Sequence, residues 1–143
     1  MKLKLSAEEE VMIKVLAVVS YEPLYRVAWL INQQLGWNLT ESETLNVINK
    51  EHSQIQQFYV FSWNNPENDS AYYLIQNKGA QGALEPSLRA VDYWLRIENE
   101  ENVDDIMLNI KGLAGTQMVY EVKPSDLKKN SPVFKNPFYQ SNL

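Results

Sequence analysis

The chain has 143 residues, of which 45% are hydrophobic and 22% are charged. This length predicts one domain with a sizeable core, and the composition is too apolar for a disordered chain. The absence of cysteine excludes disulfides, thiolate metal sites and cysteine nucleophiles, and the single histidine, His52, excludes a cluster of several histidines. A formal net charge of −5 argues against nucleic acid as the main partner.

The first apolar run, Val11 to Val19, has the wrong surroundings for a targeting or membrane segment. Acidic residues at positions 8–10 precede it where a secretory signal needs basic residues, and Lys14 interrupts it. The run is also much shorter than the roughly 20 residues that a bilayer-spanning helix needs. We therefore expect a cytoplasmic protein that has no membrane partner.

The amino-terminal half predicts two strands followed by a helix. Met1 to Leu5 alternates between apolar and basic residues, and Val11 to Val19 is rich in β-branched residues, which favours a buried strand. Residues 23–35 form the clearest helical pattern, with Pro23 in the first turn and Gly36 as a left-handed cap. The apolar positions at helical spacing are Leu24, Val27, Ala28, Ile31 and Leu35.

The middle of the chain predicts an antiparallel hairpin and then a further strand. Residues 58–63 and 71–75 are dense in strand-forming residues, and the turn residues at 64–69 separate them. Residues 78–83 contain two glycines and predict a loop. Residues 91–97 alternate most regularly, which places Val91, Tyr93, Leu95 and Ile97 on one face and Asp92, Trp94 and Arg96 on the other.

A second helix and a last strand complete the pattern. Asn102 caps the helix, acidic residues follow in its first turn, and Gly112 ends it. Residues 118–122 then alternate as a strand. The order of elements predicts an α+β domain with a mainly antiparallel sheet and two helices packed on one face, with the ferredoxin-like arrangement as one option.

The chain divides into a single α+β domain, residues 1–123, and a carboxy-terminal tail, residues 124–143. The tail contains three prolines, which disfavour helix and strand, and three lysines. It also contains the apolar residues Phe134, Phe138 and Tyr139. We expect these side chains to form an interface with the domain or with a partner subunit.

The best candidate for a binding site is the polar face of the strand at 91–97. If this face is open, Trp94 forms an aromatic platform between the carboxylate of Asp92 and the guanidinium of Arg96, which suits a ligand or a peptide. If the face is covered, Asp92 needs a backbone amide or a base as its partner, because buried charges require one. The favoured interpretation is a half-exposed face on which a loop or a dimer partner packs over Trp94.

No catalytic signature is present. The acidic runs lie at the ends of elements and suit solvated caps, and the glycine loop lacks a phosphate-binding pattern. We therefore predict no catalytic residues, no metal and no cofactor. The least favoured hypothesis is an enzyme that uses Glu85, Asp92 or His52 as an acid or a base.

Residues 86–93 resemble the signature of the IPExxxVDY family, which comprises small bacterial proteins without an assigned activity. The positions that match the motif are Pro86, Val91, Asp92 and Tyr93. Glu85 and Ser87 stand where the family has isoleucine and glutamate. The likeness covers most of residues 12–130. It implies a bacterial cytosolic protein and supplies no substrate.

Two functional hypotheses follow from different classes. The leading one is a non-enzymatic protein-interaction domain that associates with itself, as a homo-oligomer, or with another protein. It rests on the surplus of aromatic residues and on the apolar tail. The alternative is a regulatory domain that senses a small ligand beside Asp92, Trp94 and Arg96.

Overall fold

The computed structural model describes residues 11–49, 54–127 and 131–134. Within these ranges the ten strands are β1 Ile13–Ser20, β2 Thr40–Glu41, β3 Leu45–Asn49, β4 Gln54–Phe58, β5 Val60–Asn65, β6 Ser70–Gln76, β7 Lys78–Gly79, β8 Gly82–Ala83, β9 Tyr93–Glu98 and β10 Thr116–Val122. The two helices of the described residues are α1 Leu24–Leu35 and α2 Val103–Lys111. Short 3-10 turns are formed by Pro86–Leu88, Pro124–Asp126 and Pro132–Phe134. The strand predicted at Met1 to Leu5 lies outside the described residues.

The main sheet has six strands in the order β10-β1-β9-β6-β5-β2, and every neighbouring pair is antiparallel. Two small hairpins, β3-β4 and β7-β8, stand apart from it. The predicted α+β class with a mainly antiparallel sheet is confirmed. Strands β1, β6, β9 and β10 with the two helices follow the order β-α-β-β-α-β, which is compatible with the ferredoxin-like option. Strands β2 to β5 are insertions between α1 and β6.

One face of the sheet, called the helical face here, packs against both helices, as predicted. Residues of β1, β6, β9 and β10 and the apolar stripes of α1 and α2 form a single buried cluster. Its members from the sheet are Leu16, Val18, Tyr72, Leu74, Leu95, Ile97 and Val119. Helix α1 ends as predicted at Gly36, which is in the left-handed region (φ 69°). Asn102 is at the predicted cap position before α2, but its side chain makes no capping hydrogen bond within the described residues.

The opposite face, called the loop face, is also covered. The hairpin β3-β4, the segment between β6 and β9, and the carboxy-terminal residues pack on it. Its buried cluster includes Val15, Ala17, Tyr73, Ile75, Trp94, Leu45, Phe58, Leu84, Leu127 and Val133. Because both faces are covered, four consecutive residues of β1, positions 15–18, have no exposed surface. This explains the continuous apolar run that begins the described chain.

The prediction that Val91 shares a strand face with Tyr93, Leu95 and Ile97 was wrong. Val91 is buried in the cluster of the loop face together with Trp94, and not with Tyr93 and Leu95. The strand begins only at Tyr93, and the amide of Val91 donates to the carbonyl of Leu88 in the preceding turn. Strand alternation therefore does not extend back to this residue.

Candidate functional site

Trp94 lies in the interior of the loop face with no exposed surface. Its strand, β9, is bordered by β1 and β6, so its ring is fixed at the centre of the sheet. The indole Nε1 donates a hydrogen bond to Oδ1 of Asn77 at 2.8 Å. The ring is therefore a core element with a satisfied polar atom, and it presents no open platform.

Asn77 connects Trp94 to the loop that follows β6. Its Oδ1 also accepts the amide of Glu85 at 3.0 Å, and its Nδ2 donates to the carbonyls of Leu88 at 3.1 Å and Val91 at 2.8 Å. Asn77 has no exposed surface, so these four bonds replace all the water that the amide group would otherwise bind. The side chain thus holds together the segment that covers the loop face.

Glu85 is a buried carboxylate that joins this segment to the tail. It is 2% exposed, and its two oxygens accept hydroxyl hydrogen bonds from Ser131 and Ser87, each at 2.7 Å. Ser131 is separated from Glu85 by 46 positions in the sequence. The adjacent Val133 has no exposed surface. This carboxylate therefore binds the tail to the domain, and its oxygens do not line an open cleft.

Asp92 lies just before β9 and has two partners. Its Oδ2 accepts the amide of Ser20 at 2.9 Å, and its Oδ1 is 3.0 Å from Nζ of Lys78. These contacts link the end of β1 to the loop after β6. A backbone amide and a base are the kinds of partner that we expected Asp92 to need if this face is covered.

Arg96 is 3% exposed, which is unusual for a guanidinium. Its Nε and Nη2 donate to the same oxygen of Glu98, at 3.1 Å and 2.8 Å, and its Cζ lies 6.0 Å from the centre of the Tyr73 ring. Within the described residues, its Nη1 has no hydrogen-bond partner. The charge is compensated by Glu98 and by the aromatic face.

The structure thus gives separate local partners to the three residues predicted to bind a ligand, and their binding role stays a prediction. Phe134 packs against the cluster of the loop face, so part of its ring contacts the domain itself. Phe138 and Tyr139, the other predicted interface residues, lie outside the described residues, as does His52.

Tyr93, the last residue of the family-like segment, fixes the connection between β1 and α1. Its hydroxyl donates to the carbonyl of Glu22 at 2.5 Å. Burial, helped by the charges of Asp92 and Glu22, raises the pKa of Tyr93 to about 12. The phenol is therefore held in its neutral, donating form and has a positioning role in the fold.

Tyr72 belongs to a stack of three aromatic rings on the helical face. Its ring centre lies 3.8 Å from that of Trp37 and 5.7 Å from that of Trp63. Burial, followed by the hydrogen bond to Glu100, raises the pKa of Tyr72 to about 12. The rings pack on one another, so they fill the space that an aromatic ligand site would need.

The last strand was predicted, but its position at the edge of the sheet, as β10, is the feature that sequence reasoning missed. It pairs with β1 on one side, and no other strand pairs with it in the part of the chain that the structure describes. Met118 on this strand is 54% exposed. The sequence contained one relevant signal. The residues that separate Met118, Tyr120 and Val122 include the apolar Val119, so both faces of this strand carry apolar side chains. An alternation pattern cannot reveal which strand is at the edge.

The backbone groups at the free edge of β10 can be assigned from the ladders. The amide of Asn99 donates to the carbonyl of Met12, which continues the register between β1 and β9 by one residue. The backbone groups of even-numbered residues of β1 therefore face β9. Because backbone groups alternate in direction along an antiparallel strand, those of the odd-numbered residues face β10. Their partners in β10 are Met118, Tyr120 and Val122. The backbone groups of Val119 and Glu121 therefore point away from β1, outward from the edge of the sheet.

The free edge has a defined start and end. The pairing register shifts between Val19 and Ser20, which makes Gln117 the extra residue of a bulge. At the other end, the amide of Lys123 donates to the carboxylate of Asp126 in the following turn. The unpaired edge is therefore a short window around Tyr120.

Shallow cavities flank this edge and differ in charge. One, of about 340 Å³, lies beside the start of β10 and is lined by Lys111 of α2 and residues 116–119. The other, of about 260 Å³, lies beside the end of β10. Its lining includes Glu101, Asp104 and Glu121 together with Lys14, whose Nζ is 3.6 Å from Glu121, so acidic residues are in excess there. The edge thus has a basic end and an acidic end.

Two other surfaces are candidates for contact. A groove of about 540 Å³ lies between β4 and the β7-β8 hairpin, and none of the described residues that line it is charged. Tyr21, Tyr25 and Trp29 are exposed on and before α1, with Arg26 5.0 Å from the Trp29 ring. Among the described residues, no helix has the length and apolar character needed to cross a membrane, and no group of acidic residues and histidine suits a metal.

Comparison with known proteins adds no identity to this geometry. No family model matches the chain, and no curated protein matches it significantly.

Proposed function

We propose that this chain is a non-enzymatic protein-interaction domain that docks an extended protein strand on the free edge of β10. The observation that carries the proposal is the pair of outward-facing backbone positions, Val119 and Glu121, which have no strand partner on that side among the described residues. Unpaired strand edges present donors and acceptors to another chain, and proteins commonly bind extended partners in this way.

The composition of the edge supports docking. Natural proteins protect edges with charged side chains, especially lysine, with proline, with bulges, or with very short strands. The opposite edge, β2, has only two residues, whereas β10 has seven and contains no lysine or proline. Met118 adds exposed apolar surface at the same place. Beyond the bulge at Gln117, the described part of the β10 edge is therefore longer and less protected than the β2 edge.

The sensor hypothesis ranks second because of the position of Trp94. A ligand that stacks on this ring must first displace the segment held by Asn77 and the tail held by Glu85. The enzyme hypothesis ranks third, because the oxygens of Glu85 and Asp92 are directed to partners within the described part of the chain. Membership in the IPExxxVDY family stays a proposal that rests on the residues of the motif.

The test uses peptides that can add a strand. A panel of extended peptides with alternating valine and threonine is titrated into the isotopically labelled chain, and backbone amide shifts are recorded by NMR. We expect the largest shifts at Val119 and Glu121, because their amides would gain hydrogen bonds. The variant Glu121→Pro removes one of these amides, whereas Glu121→Thr keeps it and loses the same carboxylate. Loss of peptide binding in both variants or in neither would contradict the proposal, as would shifts that cluster elsewhere.

A further inference from the structure

We infer that the strand docked on β10 is the β10 strand of a second copy of this chain, antiparallel and centred on Tyr120. This inference rests on the proposed function of the edge and names its partner. A twofold axis perpendicular to the sheet, beside its edge strand, pairs that strand with its own copy in an antiparallel direction, so each contact occurs twice. The result is one continuous sheet that extends through both copies.

The register follows from the backbone groups that are free. With the axis at Tyr120, Val119 of each copy lies opposite Glu121 of the other, and both residues face outward. Each such pair exchanges two hydrogen bonds, so the register forms four. An axis at Val119 would place Glu121 opposite the bulged residue Gln117, and an axis at Glu121 would bring two carboxylates together. Tyr120 is therefore the centre that satisfies the edge best.

The side chains agree with this register. On the loop face, Tyr120 lies opposite its own copy, and Met118 lies opposite Val122, which is only 2% exposed in the single chain. Aromatic pairs and apolar pairs at directly opposed positions stabilise antiparallel strands. The exposed surface of Met118 would be covered in the process, which gives the apolar side chain a partner that the single chain lacks.

Charge complementarity supports the second copy as the occupant. The helix α2 runs beside β10, with Lys111 lining the cavity at the start of the strand and Asp104 lining the cavity at its end. An antiparallel partner reverses this order. Lys111 of each copy then approaches the acidic end of the other, formed by Asp104 and Glu121. A self-complementary charge pattern of this kind is what a twofold interface requires.

The experiment measures the mass of the full chain across a range of concentrations by light scattering and analytical ultracentrifugation. We expect a reversible dimer whose dissociation constant rises about tenfold in Lys111→Glu and in Asp104→Lys, because each change reverses a contact that occurs twice. The double variant exchanges the two charges and is expected to return to within about threefold of the unmodified chain. Arg89→Glu, at an exposed position of the loop after β8, is the control for Lys111→Glu, because both variants make the same change in net charge.

The outcomes separate this inference from the proposed function. Dimerisation weakened about thirtyfold by Glu121→Pro, through the loss of two hydrogen bonds, and only slightly by Glu121→Thr, supports both. A chain that stays monomeric but still binds strand peptides at Val119 and Glu121 overturns only the second copy as partner. A dimer that Glu121→Pro leaves unchanged overturns the edge as the interface.

Discussion

Replacing Asn77 with alanine is expected to be among the most destabilising single changes in this domain. The change removes a fully buried amide that makes four hydrogen bonds. It leaves the indole of Trp94, the amide of Glu85 and the carbonyls of Leu88 and Val91 without that partner. A buried polar group left unpaired costs roughly 1–3 kcal/mol, and some of this is recovered when water enters the new cavity.

We therefore expect Asn77→Ala to lower the free energy of unfolding by about 4 kcal/mol, a large share of the roughly 5–15 kcal/mol of a typical domain. Trp94→Phe is the matched comparison, because it removes one donor while the oxygen of Asn77 keeps the amide of Glu85. Its expected loss is about 1–2 kcal/mol. Urea unfolding followed by the fluorescence of the remaining tryptophans measures both values. A loss below 1 kcal/mol for Asn77→Ala, or one no larger than that of Trp94→Phe, would refute the assignment of Asn77 as the central link.

Ser131→Ala should destabilise the domain by about 1–2 kcal/mol, since it takes one of two hydroxyl donors from the buried carboxylate of Glu85, and urea unfolding will measure it. Ser87→Ala should cost less because Ser87 is exposed and water can replace its hydroxyl; equal losses would argue against tail anchoring. Tyr72 and Tyr93, with pKa values raised to about 12 from the ordinary 10, keep their protons longer in the folded chain than in the unfolded chain. Stability should therefore fall as pH rises from 10 towards 12, and tyrosinate absorbance should show phenols that ionise near pH 12 in the folded chain.

The elements that the sequence predicts well are those with strong local signals. Helix α1 begins beside Pro23 and ends at Gly36, because a proline lacks the amide that a first turn leaves unpaired and a glycine accepts a left-handed conformation. The alternation from Tyr93 to Ile97 is also reproduced, since a strand buried on both sides must direct successive side chains to opposite faces. Local chemistry is sufficient in both cases.

The parts that the sequence did not predict depend on distant contacts. Whether Trp94 is open or covered depends on Asn77, on the polar hairpin β3-β4 and on Ser131, none of which shares a local pattern with it. The hairpin is rich in glutamine and asparagine, which masks its strand character. The edge position of β10 follows from the strand order, and alternation within β10 contains no information on that order.

Hydrogen exchange at single amides of β10 tests the central claim most directly. The amides of Tyr120 and Val122 donate within the ladder to β1, whereas those of Val119 and Glu121 face the free edge. We predict that protection of Val119 and Glu121 rises with protein concentration towards that of Tyr120, while protection of Tyr120 changes little. Rapid exchange of Val119 and Glu121 at every concentration, with or without strand peptides, would contradict the docking role of this edge.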